Sequence, residues 1–303
     1  MAAIRHVGLI GVGLMGHGLA KNILKAGFDL TFQDHQGNGP VDDLRASGAK
    51  SVATSAEIAK ACDMVALCVN GSPEIAAILH GENGVLAGLS DGTIVVDFST
   101  AMPEATLKEA EAVRAKGGRY VDAPMTRTPK EAEEGRLNLM VGGEEDDIAA
   151  VRPVLEALAE NIYMAGGLSA GHRMKLLHNF LALGNAALLA EAVTVAAKGG
   201  VDLTTLCEVF RTGGANSVAL ERLQPYVLEG DGSSFRFSIA NARKDMEYYT
   251  AMASALDVPS FGAEAVHQLY ITASRLWKGN EAPTVPALFD ILGDLVDTKS
   301  TLK

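Results

Sequence analysis

The first half of the chain alternates between short apolar runs and longer stretches with helical spacing. HVGLIGV, DLTFQD, MVALCV, TIVVDFS and RYVDAP are short runs rich in β-branched residues, and patterns such as GHGLAKNILKAG and PEATLKEAEAVRAKGG lie between most of them. Strands this continuously apolar, spaced by helices, predict a parallel sheet covered on both faces. LNLMVGG and NIYMAGG predict two further strands, separated by the helix EEDDIAAVRPVLEALAE. Met125, Met140 and Met164 fall at strand ends and are expected in or near the core.

After Gly166-Gly167 the pattern becomes helical almost throughout, with turn signals at Lys198-Gly199-Gly200, Thr212-Gly213-Gly214 and from Glu229 to Ser234. The fold class expected is therefore α/β: an N-terminal Rossmann-type parallel-sheet domain over 1–166, then an all-helical domain over 167–303, linked by a long helix. That helix runs about thirty residues, or roughly 45 Å. Its apolar stretch, Leu176 to Ala197, is long enough for a membrane span, but it contains His178, Asn179, Asn185, Glu191 and Thr194. A buried helix of a soluble protein is the reading adopted.

Composition changes this picture little. A chain of 303 residues, 48% apolar and 21% charged, suits two globular cores. The net charge of −11 argues against nucleic-acid and anionic-membrane partners, and it requires any site for an acidic ligand to be locally positive. Cys62, Cys68 and Cys207 lack a C-x-x-C spacing and read as reduced, packed thiols in a cytoplasmic protein. The N-terminus enters a strand pattern directly, with no signal-peptide pattern. The seven histidines show no H-x-x-x-H pair, so no metal site is expected, and no G-x-S-x-G elbow is present to carry a hydrolase serine.

Gly11-Val12-Gly13-Leu14-Met15-Gly16 follows one strand and opens a helix, and Asp34 ends the next strand, eighteen residues beyond the last glycine. This is the full context of a dinucleotide fingerprint. The first glycine permits the turn, the second lets the protein backbone approach a pyrophosphate, and the third lets helix and sheet pack closely. A carboxylate at Asp34 would accept the adenine ribose hydroxyls and repel a 2′-phosphate. An NADP site more often places an arginine beside it, where this chain has His35. The expected cofactor is NAD, with NADP possible. Asn70, at the carboxyl end of a strand, is placed to touch the cofactor. At the start of the long helix, Lys175 and Asn179 share one face, with His172 and His178 three residues away on either side, and all are expected to face a cleft. A lysine there can protonate a carbonyl oxygen as it becomes an alcohol.

With these residues in place, the chain resembles the β-hydroxyacid dehydrogenases, the relatives of 3-hydroxyisobutyrate dehydrogenase, over nearly its whole length. GVGLMG, DFST at 97–100, DAP at 122–124, the spacing of Gly171, Lys175 and Asn179, and FSIANARKD from Phe237 to Asp245 occur in the family's order. The resemblance implies hydride transfer between a nicotinamide and a short hydroxy acid or its aldehyde. It makes Lys175 the catalytic acid/base and Asn179 its orienting partner, brings Lys244 near nicotinamide and substrate, and puts Ser99 and Thr100 beside the cofactor. It also implies a homodimer or homotetramer built through the helical domain.

The chain departs from the family after DAP. The usual apolar residue followed by Ser-Gly-Gly reads Met125, then Thr126, Arg127 and Thr128; the commoner Asn-Asn pair reads His178-Asn179; and Asn241 replaces an apolar residue. The Arg-Thr pair is similar to that of the sulfolactaldehyde reductase branch. Arg127, assisted by Thr126 and Thr128, is therefore expected to clamp the anionic tail of a small aldehyde. The competing reading has Arg127 in solvent or paired with Glu131, Glu133 or Glu134. Other substrates in view are 3-hydroxyisobutyrate, tartronate semialdehyde, succinic semialdehyde and a β-hydroxy amino acid. A non-catalytic dinucleotide-binding protein is the reading from a different class.

Overall fold

The protein, a computed structural model describing residues 3–302, has nine strands among those residues. They are β1 (His6–Ile10), β2 (Asp29–Gln33), β3 (Lys50–Val52), β4 (Met64–Leu67), β5 (Ile94–Asp97), β6 (Arg119–Asp122), β7 (Met125–Thr126), β8 (Leu137–Gly142) and β9 (Ala159–Gly166). The helices between them are α1 (Gly16–Lys25), α2 (Asp42–Ala46), α3 (Ser55–Ala61), α4 (Ser72–His80), α5 (Val85–Gly88), α6 (Pro103–Arg114), α7 (Pro129–Glu133) and α8 (Glu145–Leu158). The rest is helical: α9 (Ala170–Lys198), α10 (Leu203–Thr212), α11 (Val218–Glu229), α12 (Ile239–Ala255), α13 (Phe261–Leu276) and α14 (Ala287–Leu295).

The strands form one sheet in the order β3-β2-β1-β4-β5-β6-β8-β7, with β9 beside β8. From β3 to β6 all pairs are parallel, whereas β8 runs antiparallel to β6 and β7. The apolar runs did not announce this reversal, because a strand buried on both faces reads the same in either direction. The chain moves outward from β1 to β3 and then returns to β4 on the other side of β1. At that switch point the carboxyl ends of β1 and β4 leave a crevice. Gly11 follows β1 and Asn70 follows β4 closely, so topology alone brings them together.

Alternate strand residues point to opposite faces and make two cores. Val7, Leu9, Met64, Ala66, Ile94, Val96 and Val121 belong to one cluster; Ile10, Val65, Leu67, Val95 and Tyr120 belong to the other. Each fully buried Val or Leu side chain contributes about 1.5–3 kcal/mol by area. Met125 and Met140 are buried as expected, but Met164 is 50% exposed because β9 is the outer partner of β8.

Contacts divide the chain between Lys175 and Leu176, inside α9. The first unit holds the sheet and the first turns of α9. The second has a separate core that draws on α9 through Leu183, Ala186, Ala190 and Val193, and on the later helices through Cys207, Leu223, Met246, Tyr270 and Phe289. By length and composition α9 could cross a membrane, and half of its most apolar stretch is buried inside the structure. Leu177, Leu181, Leu188 and Val195 remain exposed. The three cysteines are free, and burial raises the Cys62 thiol to about 11 and the Cys68 thiol to about 12, as inert packed thiols require.

Candidate active site

The loop between β1 and α1 is the glycine fingerprint. Gly11 has φ +97°, and a Cβ there would lie 2.2 Å from the Cys68 carbonyl oxygen, so the protein itself excludes a side chain. A Cβ at Gly13 would meet nothing within 4 Å; any requirement for glycine there comes from a ligand. Leu14 is exposed, Met15 precedes Gly16 at the helix start, and no side chain caps α1. The N-terminal dipole of α1 is thus left for an anion. Gly11 and Gly13 border a cavity of about 580 Å³, also lined by Gln33, His35, Thr54, Ser55 and Asn70. These groups fit a dinucleotide.

Asp34 lies one residue past β2 and pairs with Arg45 of α2 at 3.0 Å, the guanidinium standing 5.5 Å from the centre of the Phe32 ring. The arginine expected of an NADP site beside Asp34 is therefore present in space though not in sequence. His35, its sequence neighbour, accepts the Gly37 N–H through Nδ1 at 3.0 Å. Ser99 is buried: its hydroxyl oxygen accepts the Val69 N–H at 3.0 Å, and its own N–H donates to Asp97 Oδ1 at 2.9 Å. It ties the exits of β4 and β5 together, with Thr100 half-buried next to it.

Lys175 Nζ donates to the Met125 carbonyl at 2.6 Å. Asp122 holds the start of α9 in position for this contact. Its Oδ1 accepts the Ser169 N–H and its Oδ2 the His172 N–H, both at 2.8 Å, so a carboxylate at the end of β6 caps a helix arriving from elsewhere. Burial pushes the Asp122 carboxyl above its usual value, opposed by His172 and the two backbone bonds. The approach is close enough to require glycine at 171, where a Cβ would lie 2.3 Å from the Met140 carbonyl oxygen. His172, expected to face a cleft, is instead fully buried and bonded through Nδ1 to the Thr106 hydroxyl at 2.7 Å.

The turn after β7 carries the departures from the family pattern. Thr126 accepts Asn138 Nδ2 at 3.3 Å. Thr128 donates its hydroxyl and its N–H to Glu131 and so caps α7. Arg127 has φ +84°, a left-handed conformation that glycine adopts freely and that costs other residues roughly 1–2 kcal/mol. Its Nη1 donates to Glu160 and to the Arg136 carbonyl. None of the three acids close to it in sequence is its partner.

In the second unit, Asn179 is buried and its Nδ2 donates to Asp245 Oδ2 at 2.6 Å, while its Oδ1 faces His178 Nδ1 at 2.9 Å. Lys244 Nζ pairs with Asp245 Oδ1 at 3.1 Å and lies 5.2 Å from the centre of the Tyr248 ring. Asn241 lies in the first turn of α12, its N–H bonded to the Ser238 hydroxyl at 3.1 Å. Asp245 thus joins two candidate residues, and Asp122 anchors the helix of a third. Both lie inside recognised motifs, DAP and FSIANARKD, which was the available signal. Glu160 and Arg45 had no local signal.

Comparison with known proteins assigns both halves of the chain to known families. Residues 6–166 match the family described as the NAD binding domain of 6-phosphogluconate dehydrogenase, and residues 169–284 match the NAD-binding domain of NADP-dependent 3-hydroxyisobutyrate dehydrogenase. The chain is 34% identical to 2-(hydroxymethyl)glutarate dehydrogenase of Eubacterium barkeri, covering 74% of this chain and 75% of that one. It is 32% identical to 3-sulfolactaldehyde reductase of Escherichia coli, covering 93% of each. The solved 3-hydroxyisobutyrate dehydrogenase of Salmonella typhimurium, 27% identical, superposes with a TM-score of 0.82 over 95% of this chain and 99% of its own. Matched in both halves and by relatives it covers almost end to end, the chain belongs to the β-hydroxyacid dehydrogenase family and is an NAD(P)-dependent dehydrogenase/reductase acting on CH–OH groups.

Proposed function

We propose that the protein interconverts a short aldehyde bearing an anionic tail and the corresponding primary alcohol, with NAD as its cofactor and NADP as the alternative that Arg45 beside Asp34 keeps open. The observation that carries this reading is the attachment of Lys175 to the Met125 carbonyl, two residues before Arg127. An ammonium able to protonate a carbonyl and a guanidinium able to hold an anion thus belong to one short segment. The bound nicotinamide supplies or accepts the hydride. Lys175 gives its proton to the aldehyde oxygen in reduction and removes it from the alcohol in oxidation. Asn179 orients substrate or lysine, its own amide held by Asp245; Lys244 and Asn241 complete the substrate side, with His178 beside Asn179. Gly11, Gly13, Leu14, Met15, Gly16, Asp34, Asn70, Ser99 and Thr100 hold the cofactor.

Arg127 binds the tail. Thr126 assists it, whereas Thr128 acts first as the cap of α7. The 1–166 segment serves as the dinucleotide domain and 167–303 as the substrate and oligomerisation domain of a soluble, cytoplasmic homodimer or homotetramer. The exposed leucines of α9 support such an assembly. 3-Hydroxyisobutyrate, tartronate semialdehyde and β-hydroxy amino acids are the alternative substrates.

The test is oxidation of NADH and NADPH against C3–C4 aldehydes with carboxylate or sulfonate tails, run beside Arg127→Ala. Loss of a charge-assisted pair worth about 1.5–3 kcal/mol lowers kcat/KM for the anionic aldehyde roughly 10- to 100-fold. Turnover of neutral aldehydes alone, unchanged in the variant, would rule out the substrate class.

A further inference from the structure

Arg127 does not stand alone. Both its contacts, to Glu160 and to the Arg136 carbonyl, use Nη1, and among the described residues no protein group bonds its Nη2 or Nε. The guanidinium is held along one side and left with three N–H donors, on Nη2 and Nε, along the other. Glu160 is itself shared: Arg136 Nη1 lies 3.6 Å from the same carboxylate oxygen, and Arg136 also binds Glu134. The cluster of Arg127, Arg136, Glu134 and Glu160 is therefore electrically balanced before any substrate arrives. The Glu160 carboxyl is held below its usual range, first by its hydrogen bond from Arg127, and so is charged at neutral pH.

We propose that Glu160 is a specificity-determining residue: by holding Arg127 through Nη1 and cancelling part of its charge, it selects substrates with a singly charged tail, carboxylate or sulfonate, over those with a doubly charged phosphate. The proposal rests on the reading of Arg127 as the anion clamp. A fixed negative charge behind the guanidinium repels a dianion about twice as strongly as a monoanion at the same place. At the separations of a guanidinium-bridged pair and an intermediate dielectric, the difference amounts to roughly five- to tenfold in relative kcat/KM. The strained backbone at Arg127 is consistent with a side chain held for function, since an arginine in a left-handed conformation needs its surroundings to keep it there.

The experiment measures kcat/KM for 3-sulfolactaldehyde and for glyceraldehyde 3-phosphate at a pH where the phosphate is doubly ionised. The two share a three-carbon hydroxyaldehyde and differ in tail charge, the phosphate being longer by one ester oxygen. That length difference is the same in every variant, so the shift of the ratio reads the charge. The proteins are wild type, Glu160→Gln, Glu160→Asp and Arg127→Ala. Glutamine keeps an oxygen for Nη1 but not the charge, and aspartate keeps the charge. Wild type is expected to prefer the sulfonate. Glu160→Gln moves the ratio about five- to tenfold toward the phosphate, and Glu160→Asp leaves it near the wild-type value. A ratio unmoved in Glu160→Gln, while Arg127→Ala still loses activity toward the sulfonate, overturns the role of Glu160 and leaves the clamp standing. A ratio that moves equally in Glu160→Gln and Glu160→Asp overturns the charge argument. If Arg127→Ala loses nothing, the clamp fails and this proposal fails with it.

Discussion

At Gly11 and Gly13 one motif contains two different physical requirements. Gly11 is demanded by the fold, through its positive φ and the Cys68 carbonyl; Gly13 has open space before it. Gly11→Ala combines a strained conformation with a backbone clash and is expected to lower stability by at least 1–2 kcal/mol or so. Gly13→Ala is expected to melt within about a degree of wild type yet bind NADH at least roughly tenfold more weakly, because its methyl meets only the ligand. Thermal melting and a fluorescence titration of NADH check both. A normal NADH affinity in Gly13→Ala would show that the pyrophosphate lies elsewhere.

At the scale of elements, His17 joins three of them. From α1 it reaches Glu133 of α7 through Nδ1 and Asp43 of α2 through Nε2, and Lys21 adds a bond to Glu133 at 3.0 Å. The helix after the fingerprint, the helix bearing Arg45 and the helix after the Arg127 turn are thus tied at one imidazole. Partial burial pulls the His17 value down, but its bonds to Glu133 and Asp43 outweigh this and raise it. Burial likewise works against Glu133, whose carboxyl nonetheless falls, and His17 lowers Asp43. A histidine raised on folding stabilises fully below its unfolded value of about 6.5 and loses that contribution as pH rises through the folded value. The lowered carboxylates contribute above about 4 and lose it as pH falls. The melting-temperature difference between wild type and His17→Gln should be largest between about pH 5 and 6.5 and shrink toward pH 9. A difference independent of pH would remove the charge from this account.

For the whole molecule, the division into two units predicts unequal responses to cofactor. The fingerprint, Asp34 and the cavity all belong to the first unit, whereas Trp277, the single tryptophan, belongs to the second, its indole donating to the Glu281 carbonyl at 2.8 Å. NAD at a hundred times its Kd adds about 2.7 kcal/mol to what it binds, or roughly 5–10 °C for a unit of this size. Calorimetry should record that shift for one transition, while the midpoint followed by Trp277 fluorescence moves less. Equal shifts would mean that the units unfold as a single cooperative block.

Much of this was legible beforehand, for a definite reason. Strand runs, helix periods, the glycine fingerprint and the order of the motifs are local features, and the α/β half with helices on both faces of its sheet, the 29-residue α9 and the oxidoreductase family follow from them. The antiparallel turn of β8 was not legible, because apolar runs carry no direction. Nor were the partners of charged side chains. Arg127 could be placed on a turn by sequence, yet the acid that holds it lies 33 residues away, and the arginine at Asp34 comes from 11 residues further on. His172 looked like a polar group at a helix start until the end of β6 and Thr106 enclosed it. Residue types and their spacing determined which chemistry the chain can attempt. Only tertiary structure decided which charge meets which, because ion pairs depend on distances set by chain crossings that no local pattern encodes.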